Sequence, residues 1–259
     1  MVKRCQEVGV RVRYILNSDP QTVAVGITPE FSCSYFAERQ EQLLVIKQEL
    51  LQLPLYERLL AMGFRRSGDA VYRPRCPNCD ACQSLRIPLT DFTPSKRQKR
   101  TLAHNRDIEV RVTNSYSPVH YALYDRYIRA RHHDGSMYPP TPEQYQHFLQ
   151  CQWITAHFIE LYLDKQLVGV AVTDILPDSL SAVYSYFEPE MEKRSLGALM
   201  ILHQCQLGKL WGKQYLYMGY QIDNHPKMGY KRLYRPYEIL TELGWQKNDC
   251  PDANPLHTR

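Results

Sequence analysis

The chain has 259 residues, 44% hydrophobic and 23% charged, the balance of one large or two small globular domains. Its mean hydropathy is −0.47, and its longest apolar run, Leu167 to Val172, is far short of the roughly 18 residues that span a bilayer. A membrane-spanning helix is therefore not expected. Net charge is +5, but eleven basic and five acidic side chains fall between Arg65 and Arg111, a local +6 against −1 for the remaining residues. That segment reads either as a solvated basic face or as the footprint of an anionic partner, whether phosphate, nucleic acid or carboxylate.

Residues 1–26 lack strong periodicity and are read as an extension that need not be ordered. The stripes Leu43, Leu44, Ile46, Leu50, Leu51 and Leu55, Leu59, Leu60, Met62 predict helix over 39–62, interrupted near Pro54 and ended by Gly63. Phe64 to Tyr72 reads as a hairpin turning at Ser67-Gly68-Asp69, and Cys76 to Cys82 as a compact loop. Leu85 to Leu89 is a short strand that Pro88 assigns to an edge. Pro94 to Asn105 is a basic helix capped by Thr93 or Ser95. The alternation around Ile108, Val110 and Val112 predicts a strand, with a domain boundary nearby. Two helices (117–133 and 142–150), an antiparallel meander (155–163, 166–176, 180–188), a helix (195–211) and a strand (214–222) follow. The chain past about 248 is expected to fray.

Strand, two helices, three strands, helix, strand is the order of an α/β (α+β) sheet covered by helices. It suits the GCN5-related acetyltransferase fold, in which a helix N-terminus holds a phosphate. Arg194-Ser195-Leu196-Gly197 matches that fold's phosphate-binding pattern only through Arg194 and Gly197, and Leu199 departs from it. A plain helix start explains the stretch equally well. The division read from this order is 27–107 as an N-terminal domain with the cysteines and basic segment, and 108–259 as an acetyltransferase-like transfer domain.

Eight cysteines are too few for a disulfide scaffold, and the basic N-terminus has no apolar core of a secretory signal. The expectation is a cytoplasmic protein with reduced thiols. Cys76, Cys79 and Cys82 have the spacing that lets thiolates converge on a soft metal, with Cys33 as a fourth donor; three thiols packing a tight turn is the other reading. Cys5, Cys151, Cys205 and Cys250 show no pattern.

Several ordered motifs carry a resemblance. They are Cys33-Ser34-Tyr35, Gly63-Phe64-Arg65-Arg66-Ser67-Gly68, Val71-Tyr72-Arg73-Pro74, Cys76-x-x-Cys79-x-Ala81-Cys82 and Phe92-x-Pro94-Ser95-x-x-Gln98-Lys99-Arg100. Ser181-Ala182-Val183-Tyr184, Phe187-x-Pro189, Arg194-Ser195-Leu196-Gly197, Tyr217-x-Gly219-Tyr220, Lys227-Met228-x-Tyr230-Lys231 and Pro236-x-Glu238 follow. From about residue 27 to 245 the chain resembles the bacterial aspartate/glutamate leucyltransferases, relatives of the eukaryotic arginyl-tRNA–protein transferases. It departs from them at Phe36-Ala37, where Leu-Pro is usual, and in its first 20 or so residues.

The resemblance implies transfer of Leu from leucyl-tRNA to the α-amine of proteins beginning with Asp or Glu, creating an N-degron. An arginyl donor, and more remotely an acetyl-CoA-dependent N-acetyltransferase, are the alternatives. No cofactor is required, and a zinc ion or iron–sulfur cluster on Cys33, Cys76, Cys79 and Cys82 is carried over from the relatives. For the acidic acceptor the candidates are Arg65, Arg66, Arg73 and Arg100, because a guanidinium binds both carboxylate oxygens. For the tRNA and its aminoacyl end they are Lys99, Arg194, Ser195, Lys227, Tyr230 and Lys231, with Lys227 and Lys231 on one face if their stretch is helical. Tyr184 and Tyr217 are the catalytic candidates, expected to point into one cleft. His132 and His133 read as a helix end rather than a base.

Overall fold

The computed structural model describes residues 10–16, 19–135, 137–149, 151–223, 225–226 and 228–249. Strands β1 (Val10–Leu16), β2 (Asp19–Ile27), β3 (Phe31–Ser32), β4 (Gln40–Glu41) and β5 (Leu43–Ile46) lead into helix α1 (Leu53–Ala61). The hairpin β6 (Arg65–Ser67) and β7 (Ala70–Pro74) follows, then the cysteine loop, β8 (Gln83–Pro88), α2 (Lys96–His104) and β9 (Glu109–Thr113). Helices α3 (Pro118–Arg131) and α4 (Pro142–Leu149) precede the meander β10 (Ala156–Leu163), β11 (Gln166–Ile175) and β12 (Ser179–Phe187). A 3-10 turn (Pro189–Arg194) opens α5 (Leu196–Leu210). Strand β13 (Tyr215–Gln221), a second 3-10 turn (Gly229–Leu233) and the hairpin β14 (Tyr237–Thr241) and β15 (Gly244–Asn248) complete the described chain.

The fold is mixed α/β, and its second half follows the expected order of strand, two helices, three strands, helix and strand. Its large sheet has eight strands in the order β15-β14-β8-β13-β12-β11-β10-β9. Neighbouring strand residues divide between its faces, as pleating requires. Ile159, Leu161, Leu180 and Leu216 pack under α5, while Phe158, Val170, Val172 and Tyr186 pack under α3 and α4. The second face continues under α1 and a five-stranded sheet, β1-β2-β5-β7-β6, where Tyr56, Leu59 and Phe64 meet Tyr217 and Leu176. Among the described residues no helix is long and apolar enough to cross a membrane.

Four expectations need correction. Residues 43–46 are the strand β5, not helix: an apolar run of four ending in Val45-Ile46 sits between β2 and β7, and only Leu53–Ala61 is helical. Strand β8 is internal, not an edge. It pairs with β14 only at Leu85 and Arg86, so Pro88 lies past that ladder and removes no bond from it. The division at 107 therefore does not separate the sheets, because β8 inserts into the large one between β13 and β14. Within 1–26, residues 10–16 and 19–27 form an antiparallel hairpin, and the rest of that expected extension lies outside the described residues. The fraying expected past 248 falls mostly on residues outside the description as well. The hairpin β14–β15 is an element that the sequence reading missed.

Candidate active site

Strands β12 and β13 pair in parallel only from Ser179 opposite Tyr215 to Ser181 opposite Tyr217, and then separate. Both are irregular at that point: β12 shifts register against β11, and β13 shifts against β8 around Met218, with Gly219 at φ +76°. Separation leaves carbonyls that need donors. Arg65, projecting from β6, supplies them: its Nη2 donates to the Ala182 carbonyl at 2.5 Å and its Nη1 to the Tyr217 carbonyl at 3.3 Å. One guanidinium thus bridges the gap between the two strands.

Lys231 sits in the second 3-10 turn, 7% exposed, and donates to the carbonyl of Tyr220, the residue after Gly219. Burial first, and then the Arg65 charge, lower its ammonium from the usual lysine range to about 7. Tyr220 is fixed from the other side, its hydroxyl lying 2.8 Å from the Gly63 carbonyl and 3.2 Å from that of Tyr72. Tyr184 packs on Phe148 and Tyr124, and its buried hydroxyl has no partner. Burial, then the neighbouring Tyr127, Tyr124 and Tyr230, push that hydroxyl well above the usual phenol range, so it stays a neutral donor. Tyr230 is exposed beside this group.

Tyr217 does not join Tyr184 in one cleft. Its ring packs on Trp245 and Tyr215, and its hydroxyl accepts from Arg86 Nη1 at 3.3 Å. Adjacent strands placed the two tyrosines near each other, but the strand separation turns them to different neighbours. Arg66 is also committed elsewhere. Its Nε and Nη2 grip Asp174 at 2.7 and 2.6 Å, and the Tyr56 hydroxyl donates to the same carboxylate at 3.0 Å. Burial works to lower the Arg66 pKa, but the charge and hydrogen bonds of Asp174 outweigh it and raise the pKa. Both side chains of this pair are fully buried, so Arg66 is closed to an acceptor.

Arg73 is half-buried, with Nη1 on the Met62 carbonyl at 2.9 Å. Lys99 and Arg100 are exposed on α2, away from the buried pair. Arg194 is held by Asp107 at 2.8 Å, and its carbonyl accepts from Asn105. Ser195 takes a left-handed conformation (φ 53°) and makes no side-chain cap to α5. The start of α5 therefore reads as a structural junction. Lys227 lies outside the described residues. Lys231 is buried in a 3-10 turn, so the helical face expected to offer it to phosphates is absent. His132 follows α3, beside the Tyr127 hydroxyl at 3.4 Å. The chemistry-bearing feature that the sequence reading missed is the strand separation itself; its signal is Gly219, two residues after Tyr217.

Cys33, Cys76, Cys79 and Cys82 line one surface pocket with Arg39 and Glu41. Arg39 Nη1 lies 3.1 Å from the Cys79 sulfur. Burial, then Cys33, Cys76 and Glu41, push the Cys82 thiol up to about 12. The donor set is soft, but among the described residues no three such side chains stand close enough to hold a single metal ion. Cys205 is core, Cys151 is a free half-buried thiol, and Cys5 and Cys250 lie outside the described residues.

Comparison with known proteins bears on this arrangement. A family described as arginine-tRNA-protein transferase matches the chain twice, its N-terminal part over residues 31–100 and its C-terminal part over 119–241. An aspartate/glutamate leucyltransferase of Shewanella oneidensis is 60% identical over 230 residues, 89% of this chain and 97% of the relative. One from Aeromonas hydrophila is 50% identical over 87% of this chain and 95% of its own. Among solved structures, FemX aligns with a TM-score of 0.48 at 8% identity, covering 83% of this chain and 80% of that one, too slight a likeness to carry an argument.

Proposed function

The chain belongs to the arginine-tRNA-protein transferase family, and from that premise we propose that it moves Leu from leucyl-tRNA to the α-amine of proteins beginning with Asp or Glu. It is an aminoacyltransferase, acting on an aminoacyl-tRNA and a protein. The relatives' names favour leucine as the cargo. The observation that carries the acidic acceptor is Arg65, buried at the strand separation with no carboxylate partner among the described residues.

The acceptor's amine, with a pKa near 7.7–8.0, is partly neutral at pH 7 and attacks the ester carbonyl. A C–N bond forms, the ester C–O bond breaks, and the tRNA 3′ oxygen leaves with the proton that the amine gives up. The ester is intrinsically reactive, so positioning and stabilisation of the carbonyl oxygen supply most of the catalysis. Tyr184, a neutral unpartnered hydroxyl, suits the donor role for that oxygen; Tyr217 does not. Tyr230, exposed beside it, suits stacking on the unpaired acceptor end. The exposed cations of α2, Lys99 and Arg100 among them, suit the phosphates. Transfer itself needs no cofactor. We extend the proposal to a zinc ion or iron–sulfur cluster on Cys33, Cys76, Cys79 and Cys82, which share one pocket but would have to draw closer to hold it, and no step of the transfer runs through it. A cytoplasmic location and an N-degron product complete the reading.

The test supplies the purified chain with labelled leucyl-tRNA or arginyl-tRNA and peptides beginning with Asp, Glu or Ala. Leu on the Asp and Glu peptides alone is the expected result. Arg in its place moves the donor assignment, and transfer to Ala peptides removes the acceptor assignment.

A further inference from the structure

Three cations are buried among the described residues: Arg65, Arg66 and Lys231. Arg66 has Asp174. Among the described residues neither Arg65 nor Lys231 pairs with an Asp or Glu; Arg65 donates to the carbonyls of Tyr217 and Ala182, and Lys231 to that of Tyr220, with its ammonium 5.9 Å from the centre of the Tyr230 ring. They flank consecutive residues at the bend of β13: Arg65 lies against Gly219, and Lys231 caps Tyr220. Carbonyl dipoles orient such groups but leave their charge uncompensated. Keeping two like charges out of water without an anion is costly. A fold keeps that arrangement where an anion arrives from outside.

We propose that Arg65 and Lys231 together form the subsite for the side-chain carboxylate of the acceptor's first residue, Arg65 through its guanidinium fork and Lys231 as a point charge. This rests on the acceptor reading above and assigns Lys231 to the protein substrate instead of the tRNA. Depth separates the two anions. Arg65 is 9% exposed and Lys231 7%, within reach of a carboxylate on a short side chain but withdrawn from the backbone of a folded RNA. Cations that a phosphate chain can reach lie instead at the surface, those of α2 among them. A carboxylate seated between Arg65 and Lys231 leaves its own α-amine beside the strand separation and on the side of Tyr184, two residues beyond Ala182.

The test uses the full chain with two peptides that differ only in beginning with Asp or Asn, and compares wild type with Lys231→Met and Lys231→Arg. Lys231→Met is expected to lower the Asp:Asn ratio of kcat/KM by about 10- to 100-fold, the worth of one charged hydrogen bond. The loss falls mainly on KM for the Asp peptide. Lys231→Arg keeps the ratio within a few-fold, and uncharged tRNA binds all three proteins alike. An unchanged ratio in folded Lys231→Met overturns the proposal. So does a loss of tRNA affinity with the ratio intact, which would give the pair to an RNA phosphate. Calorimetric titration of wild type with the two peptides scores the site without turnover. Tighter binding of the Asp peptide supports it, and equal binding overturns it. Failure of transfer to both peptides with that preference intact would count against the reaction and not against the subsite.

Discussion

Arg65 lies directly beneath Gly219: a Cβ at 219 would stand 2.8 Å from the guanidinium carbon. The same residue has φ +76°, where any side chain is strained. Gly219→Ala therefore both strains the bend and pushes Arg65 off the Ala182 and Tyr217 carbonyls. The expected cost is about 1–3 kcal/mol of stability by urea denaturation, with at least a tenfold loss of transfer to Asp peptides. A folded Gly219→Ala protein with full transfer would separate the Arg65 position from the site.

Arg66, the next residue along β6, tests the opposite role. Removing it strands Asp174 as a buried unpaired carboxylate, and breaking such pairs costs about 3–5 kcal/mol. Arg66→Met is expected to unfold at much lower urea, while the Asp174→Leu, Arg66→Met double variant recovers most of the loss. On whatever fraction folds, KM for an Asp peptide stays at the wild-type value. A raised KM with unchanged stability would return Arg66 to the acceptor site.

Lys231 carries a pH signature. Its folded pKa, about 7, lies below the ordinary 10.5, pulled down by burial and Arg65 and opposed by Cys82. Between those values the unfolded chain holds a proton that the folded chain lacks, so this group makes stability rise with pH across that window. Lys231→Met removes the rise: its advantage over wild type in thermal midpoint is largest near pH 7 and shrinks toward pH 10. Loss of the ammonium also weakens a carboxylate's hold, so KM for an Asp peptide climbs above about pH 7, offset in part because a bound carboxylate favours the charged form. KM for an Asn peptide shows no such climb. Parallel profiles for the two peptides would refute the assignment.

What the sequence made legible was local. The hairpin turning at Gly68, the capped helix at Ser95 and the meander turning at Lys165 are set by residues within a few positions of each other. What it hid was distant pairing. Asp174 meets Arg66 across 108 residues, and nothing near either one marks the partnership. Leu43 to Ile46 suits a buried helix or a buried strand, and only β2 and β7 on its two sides decide for the strand. Arg65, Arg66 and Arg73 looked alike as acceptor candidates. Alternation along β6 separates the first two, sending Arg65 to the strand gap and Arg66 to a buried acid.

Helix α2 presents a cluster of positive charge. Lys96, Arg97, Lys99 and Arg100 are exposed and have no acidic partner among the described residues. Ser95 and Gln98 close a capping box at its start, which fixes where the helix begins. Gln98 also donates to the Leu233 carbonyl at 3.0 Å, which ties α2 to the turn that carries Lys231. A polyanion lying along α2 would thus be held in fixed relation to the strand gap. Replacing the four cations by Gln keeps helix propensity and removes only charge. If two to four of them meet phosphates, the slope of log affinity for tRNA against log salt falls by about 1.5–3.5. The same variant should need more leucyl-tRNA for half-maximal transfer at physiological salt, yet keep the wild-type Asp:Asn ratio. An unchanged salt slope would remove α2 from the tRNA surface. A collapsed ratio would mean that α2 and the Arg65–Lys231 subsite are not separable, because Gln98 would then transmit changes on the helix to the turn.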